Sequence, residues 1–233
     1  MTKKNFDSTT IAKRAAAEAA ASLIQEGMHV GLGTGSTAAY FIAALGKRCQ
    51  EGLRIQVFSS SEKSAQAAKS LGIPLLEECA VKMLDITVDG ADEIDPAFNM
   101  IKGGGGALLR EKLLAQASKE MVIIVDSEKQ VEHLGKHVLP IEIVPYLYRT
   151  TIQRLHQMEY HGALRITEKD SPFLTDNHHY IYDIQNSSPI LDPAQEHYRL
   201  KEIPGVVETG LFFHLAKRVI VGYEDGNVKI LTR

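Results

Sequence analysis

The sequence predicts an α/β protein: a doubly wound, mostly parallel sheet with helices on both faces, plus a smaller inserted α+β domain of ferredoxin-like type. Three observations carry this. Met121 to Val125 is an uninterrupted apolar run, the mark of a strand buried on both faces. Short strand-like runs alternate with helical segments over roughly the first 130 residues, as a parallel sheet with crossover helices requires. After Asp126 the order changes to proline-punctuated strands, a hairpin and single helices, which suits a separate α+β layer.

The elements follow in order. A first helix is expected from Thr9 to Gln25, stopped by Gly27. A strand from Met28 to Leu32 enters a Gly/Thr/Ser turn, and a helix runs from Ser36 to about Lys47. Arg54 to Phe58 reads as a strand, followed by Ser59-Ser60-Ser61 and a helix from Glu62 to Leu71. Leu84 to Val88 is a third strand, ending at Asp89. Phe98 to Lys102 is a further strand that opens into Gly103 to Gly106 and a helix to about Lys119. Beyond Met121 to Val125, a strand at Ile141 to Val144 lies between Pro140 and Pro145, and a helix spans Tyr146 to Gln157. An alternating strand at Ala163 to Thr167 precedes a hairpin over Phe173 to Asp183, turning at Asp176-Asn177. A helix from Pro193 to about Lys201 follows. Gly205 to Phe212 and Arg218 to Gly222 read as strands returning to the main sheet, and Glu224 to Asn227 as the last turn. The expected domains are 1–130 with 205–233, and 131–204.

Composition narrows the function. The chain has 233 residues, enough for a sizeable core, and a formal charge of −3 with no local Lys/Arg cluster. That speaks against a nucleic-acid or membrane surface as partner. Cys49 and Cys79 form neither a CxxC pair nor a zinc spacing, so free thiols in a reducing compartment are expected. Lys3 and Lys4 before an alanine-rich stretch superficially suggest a leader, but Asp7, Lys13, Arg14 and Glu18 interrupt any apolar segment. No apolar run approaches the ~18 residues of a membrane span. A cytoplasmic protein is expected.

Four segments can carry chemistry. Gly31-Leu32-Gly33-Thr34-Gly35-Ser36-Thr37 lies between a strand and a helix. Glycines let the backbone approach a ligand, helix-start N–H groups attract an anion, and the hydroxyls add donors. A plain tight turn is the alternative. The dinucleotide fingerprint lacks its third glycine, where Ser36 stands, and the P-loop Gly-Lys-Ser/Thr is absent, so a monophosphate is favoured. Asp89-Gly90-Ala91-Asp92-Glu93-Ile94-Asp95 sets four carboxylates after a strand. They suit sugar hydroxyls, a solvated turn or a divalent metal.

In the third segment, Lys102 precedes four consecutive glycines, Gly103 to Gly106, which are costly to order and imply close approach of something to the backbone. On a wheel of about 100° per residue, Lys112, Gln116 and Lys119 form the polar face of the following helix. Glu111 falls on the apolar side with Ala107, Leu114 and Ala115. A carboxylate seated there is dehydrated, which raises its pKa towards that of a general base. A structural pairing of Glu111 with Arg110 or Lys102 is the alternative. Lys129, after Asp126-Ser127-Glu128, can neutralise phosphate. None of the nine histidines has a metal-like spacing with acids.

These segments resemble the ribose-5-phosphate isomerases of the A type. The match rests on GLGTGSTA, SSSEKS, VDGADEID, IKGGGGALLREK and VDSEKQV in this order, with LPIEIVPY and IPGVVETGLF extending it over nearly the whole chain. GTGST alone also fits glucosamine-phosphate isomerases, sugar-phosphate-sensing repressors and CoA transferases; the second and third segments narrow it. The resemblance implies Glu111 as proton acceptor. It implies substrate contacts at Thr34, Gly35, Ser36, Thr37, Asp89, Gly90, Ala91, Asp92, Lys102, Gly103, Gly104, Gly105 and Lys129. Catalytic assistance from Lys102, Asp89 and Asp92 and no cofactor are expected, and the resemblance implies no metal, a sugar-phosphate substrate and a homodimer or homotetramer. Gly106 stands where alanine is common, and Leu109 where threonine is.

Overall fold

The computed structural model describes residues 8–233; Lys3, Lys4 and Asp7, weighed above, lie outside the described residues. In chain order the elements are α1 (Ser8–Ser22), β1 (His29–Leu32), α2 (Ser36–Gln50), β2 (Gln56–Ser59), α3 (Glu62–Ser70), β3 (Ile86–Asp89), β4 (Glu93–Ile94), β5 (Met100–Ile101), α4 (Leu108–Gln116) and β6 (Met121–Asp126). Then come β7 (Leu139–Ile143), α5 (Tyr148–Gln157), β8 (Gly162–Leu164), β9 (Tyr180–Ile184), α6 (Pro193–Lys201), β10 (Val206–Thr209), β11 (Leu211–Phe212), β12 (Ala216–Gly222) and β13 (Val228–Thr232). The chain forms two compact units, one of residues 8–90, 113–129 and 215–233, the other of 91–112 and 130–214.

The first unit is built on a six-stranded sheet of order β13-β12-β6-β3-β1-β2. All its neighbours run parallel except β13, which pairs antiparallel with β12 at the edge. Alternation along the strands sorts the side chains onto two faces. Val30, Leu32, Val57, Val88, Val122 and Ile124 pack with Ala16, Ala17, Ala20, Phe41 and Leu45 of α1 and α2. The small residues of α1 let its backbone lie close to the sheet: a Cβ on Gly222 would come 1.9 Å from the Ala12 carbonyl oxygen. On the opposite face, a Cβ on Gly31 would meet Thr87 and Leu114, and the Thr87 hydroxyl lies 2.6 Å from that of Ser118. Helical segments therefore cover both faces of a mostly parallel sheet, as the sequence predicts.

The second unit contains the order β7-α5-β8-β9-α6-β10, whose strands form an antiparallel sheet β10-β7-β9-β8. This β-α-β-β-α-β arrangement is the ferredoxin-like one. Its core joins Leu139, Ile141, Ile143, Leu155, Tyr182, Ile184 and Leu200. A second small antiparallel sheet, β11-β5-β4, brackets the glycine run.

One expectation needs correction. Gly205 to Phe212 does not return to the main sheet: β10 pairs with β7, and β11 pairs with β5. Of the two segments assigned that return, β12 alone makes it. Apolar alternation specifies a strand but not its partner. The switch between the two small sheets occurs at Gly210, whose N–H donates to Pro140 O (2.7 Å) and whose carbonyl accepts from Lys102 N–H (2.9 Å). The Phe173 to Asp183 hairpin is also looser than expected, with a single isolated bridge from Leu174 to Tyr180 at the start of β9 and a turn in which the Thr175 hydroxyl accepts from the N–H groups of Asn177 and His179.

A Cβ at Gly210 would stand 2.3 Å from Lys102 O and 2.9 Å from Pro140 O, both backbone atoms that cannot rotate away. We expect Gly210→Ala to cost about 3 kcal/mol in chemical denaturation, at the upper end of overpacking. An unchanged midpoint would show that this crossing is not tightly packed.

Candidate active site

In the first unit, β1 leads to β2 on one side while β3 lies on the other, so the loops after β1 and β3 flank a switch point, where doubly wound sheets bind ligands. The loop after β1 is held by Asp89. The fully buried Asp89 accepts at Oδ1 from the N–H groups of Thr34 (3.0 Å) and Gly90 (2.8 Å). A Cβ at Gly33 would fall 1.9 Å from that oxygen, so glycine is required there. The Thr34 hydroxyl meets those of Ser60 and Ser61, each at 2.8 Å. Ser64 Oγ donates to Gly33 O (2.7 Å), while Ser61 caps α3. Gly35 sits at φ 111, in the left-handed region, and begins α2 without a side-chain cap or an acidic residue in the first turn. The first-turn N–H groups and the hydroxyls of Ser36 and Thr37 are thus set for an anion. Lys129 follows β6 in a single 3-10 turn, half-buried.

In the second unit the glycine run spans a buried charge pair. Lys102 and Glu111 are 2% and 3% exposed, with Nζ and Oε2 3.2 Å apart. Gly103 and Gly106 adopt φ 108 and 78, which turn the chain from β5 into α4. Asp92 accepts at Oδ2 from Gly104 N–H (2.8 Å). Arg110 turns to the Asn177 side chain (2.8 Å) and the Asp176 carbonyl (2.7 Å), so of the two structural partners considered for Glu111 it is Lys102 that pairs. The rest of the acidic run is occupied by backbone. Glu93 is fully buried and accepts from Gly135 and His137 N–H, and Asp95 accepts from Ala97 and Asn99. Among the described residues, no group of three or more His, Cys, Asp or Glu side chains is arranged to hold a metal ion.

Each sequence-predicted residue is thereby located. Thr34, Gly35, Ser36, Thr37, Asp89, Gly90 and Lys129 belong to the first unit, and Ala91, Asp92, Lys102, Gly103, Gly104, Gly105 and Glu111 to the second. Sequence reasoning missed the serine support of the loop, although a serine run before a helix is a readable capping signal. It also misassigned Lys112. That residue is 8% exposed rather than solvated: its ammonium donates to Glu208 Oε1 (2.8 Å) and to the carbonyls of Thr209 (2.9 Å) and Leu211 (2.8 Å), and lies 4.7 Å from the centre of the Phe212 ring. An ideal wheel cannot foresee a carboxylate arriving from 96 residues away. Burial pulls the Lys112 pKa down, and the charge of Glu208 partly restores it. Burial pushes the Glu208 carboxyl up, but Lys112 and the hydrogen bonds outweigh it and leave the pKa below the usual value. Burial, aided by Lys112, holds the His197 pKa below its usual value.

The matching family model and the similar proteins that follow give the class first: isomerases of a phosphorylated sugar. The family model described as Ribose 5-phosphate isomerase A (phosphoriboisomerase A) matches residues 56–226. Ribose-5-phosphate isomerase A of Protochlamydia amoebophila is 52% identical over 99% of this chain and 100% of its own. The solved ribose 5-phosphate isomerase A of Methanocaldococcus jannaschii has a TM-score of 0.90 at 35% identity, covering 97% of this chain and 100% of its own. A D-ribose-5-phosphate isomerase solved in complex with phospho-erythronic acid reaches 0.92 at 37% identity, covering 98% and 100%. The chain belongs to the ribose-5-phosphate isomerase A family.

The buried Lys112–Glu208–His197 cluster sets a pH dependence. Depressed folded pKa values mean that the unfolded chain binds protons first as pH falls. The stabilisation is complete above the ordinary values of 6.5 for His197 and 4.5 for Glu208, and is lost as pH drops through the lower folded values. We expect Glu208→Gln, which strands a buried ammonium, to cost about 3 kcal/mol at neutral pH. The gap to wild type should shrink below pH 4.5, and Lys112→Met added to it should recover part of the loss. Parallel pH–stability curves for wild type and variant would contradict this.

Proposed function

We propose that this chain interconverts ribose 5-phosphate and ribulose 5-phosphate, an aldose–ketose step of the pentose phosphate pathway, without a metal ion. The observation that carries the mechanism is the Lys102–Glu111 pair, buried beneath a glycine run. Glu111 removes the proton from C2 of the open-chain aldose, giving an enediolate with its charge on the C1 oxygen. It returns the proton to C1 while the O2 hydroxyl proton passes to O1. One carboxylate serves both transfers because the proton leaves and returns on one face. Lys102 and N–H groups of the glycine run stabilise the oxyanion, each such preorganised donor being worth roughly 3–4 kcal/mol. Thr34 to Thr37 and Lys129 hold the phosphate, whose binding energy positions the reacting carbons. Asp92 receives sugar hydroxyls. The family resemblance assigns Asp89 the same role, although here its carboxylate is fully buried and Oδ1 holds the Thr34 and Gly90 amides; one of the two aspartates assists ring opening. The enzyme is cytoplasmic, as its cysteine usage suggests, and works as a homodimer or homotetramer, as the family resemblance implies.

Phospho-erythronic acid fits the same reading. Its planar, negatively charged carboxylate presents two oxygens much as the planar enediolate presents its anionic O1 beside O2, so we expect it to compete with ribose 5-phosphate. The test is ribulose formation with excess EDTA. Wild type should turn over, and Glu111→Gln should lose about 10³-fold or more in kcat, within the range for a general base, while inorganic phosphate inhibits both forms equally. Near-normal turnover in the variant would remove Glu111 from the mechanism. Activity that vanishes in EDTA and returns with Mg²⁺ would make the acidic run a metal site.

A further inference from the structure

The glycine run is gripped from outside by a residue that neither the acidic run nor the lysine–glutamate pair requires. Arg165 follows β8 and lies in the same compact unit. Its Nε and Nη2 donate to the two carboxylate oxygens of Asp183 at 2.8 and 2.5 Å, a fork-to-fork pair that fixes the guanidinium plane. The remaining Nη1 reaches the carbonyls of Gly103 (3.0 Å) and Gly104 (3.1 Å), more than 60 residues away in sequence. The guanidinium also lies 5.7 Å from the centre of the Phe173 ring. That ring closes on Gly106, where a Cβ would stand 2.4 Å from it.

Peptide planarity turns this grip into an orientation. In a trans peptide the C=O and the following N–H point in opposite directions. With Gly103 O bound by Arg165, the Gly104 N–H points the other way, to Asp92 Oδ2 at 2.8 Å. With Gly104 O bound by the same nitrogen, the exposed Gly105 N–H also points away from Arg165. Glycine peptides flip readily because no side chain anchors them; the Gly103 carbonyl is also held by Gly106 N–H (2.9 Å), so the Arg165 contact adds a second anchor there and is the hydrogen bond that fixes the Gly104 carbonyl.

We propose that Arg165 is a positioning residue of the isomerisation. By fixing two consecutive glycine peptides, it aims the Gly104 amide at Asp92 and offers the Gly105 amide to the oxyanion of the reacting sugar. This rests on the isomerase reading above. Arg165 touches no reacting atom. It acts through the backbone, and Asp183 acts through Arg165. A lysine cannot replace it, since a single ammonium cannot bind a carboxylate in a fork and reach two carbonyls at once.

The test compares Arg165→Lys and Arg165→Gln with wild type and Glu111→Gln, all as full chains. We expect kcat to fall roughly 10²-fold in both Arg165 variants, as when one preorganised donor is lost, with KM changed less than about threefold. Affinity for phospho-erythronic acid should fall in step with kcat, because its carboxylate uses the same donors. Competitive inhibition by inorganic phosphate should not move, because it reports on Thr34 to Thr37. A purely structural role would lower the melting temperature and shift kcat, KM and phosphate inhibition together, or leave kcat of the folded protein intact; either result overturns the proposal. If wild type turns over and Glu111→Gln does not, the isomerase reading stands whatever Arg165 does. A wild type without ribose 5-phosphate turnover overturns the reading and the proposal together.

Discussion

Burying a lysine and a glutamate together is the constraint on which the second unit depends. Each charge loses several kcal/mol of hydration when removed from water, and the loss is recovered only if the partner is well placed. Lys102 and Glu111 meet at 3.2 Å although nine positions separate them, so the chain must leave β5, turn and enter a helix within that span. Gly103 and Gly106 provide the left-handed turns. Around the pair, Phe212 presents its ring to both Lys102 and Lys112, at 5.4 and 4.7 Å. Lys112 in turn binds the segment that carries that ring. The second buried ammonium therefore helps to seat the helix that bears Glu111.

The anion loop follows a different logic. A buried carboxylate and a rack of hydroxyls shape its backbone. Asp89 is fully buried, yet its Oδ1 is engaged by two loop amides, and Gly33 leaves room for that contact. Thr34 is tied back to Ser60 and Ser61. The donors left facing outward are the first-turn amides of α2 with Ser36 and Thr37. In the proposed reading these donors take the one phosphate group of the substrate.

Much of this is legible in the amino-acid sequence. The parallel core was visible because β6 is apolar at every position and both of its faces are buried. The anion loop and the glycine run were visible because glycine at those densities needs a reason. Glu111 was visible because its helical neighbours on that side are apolar. What escaped the sequence was long-range pairing. Nothing near Gly210 reveals that one strand-like run divides between two sheets. Nothing near Lys112 announces Glu208, and nothing near Arg165 announces the carbonyls of Gly103 and Gly104. Local periodicity reports which face of an element is buried, whereas the partner that satisfies a buried polar group is decided by topology. The acidic run shows the same limit: Glu93 and Asp95 look like ligand groups in sequence, yet backbone amides occupy them.

The account stands or falls on whether Glu111 breaks the bond to hydrogen at C2. The direct measurement uses ribose 5-phosphate carrying deuterium at C2 and follows the loss of that C–D bond by NMR, counting deuterium that reaches C1 together with deuterium that reaches water. The wild-type protein should break the bond with a primary isotope effect. Glu111→Gln should leave it intact over the same time, while phosphate still protects the variant against thermal unfolding. Cleavage of the C2–D bond by the variant at the wild-type rate would contradict the account.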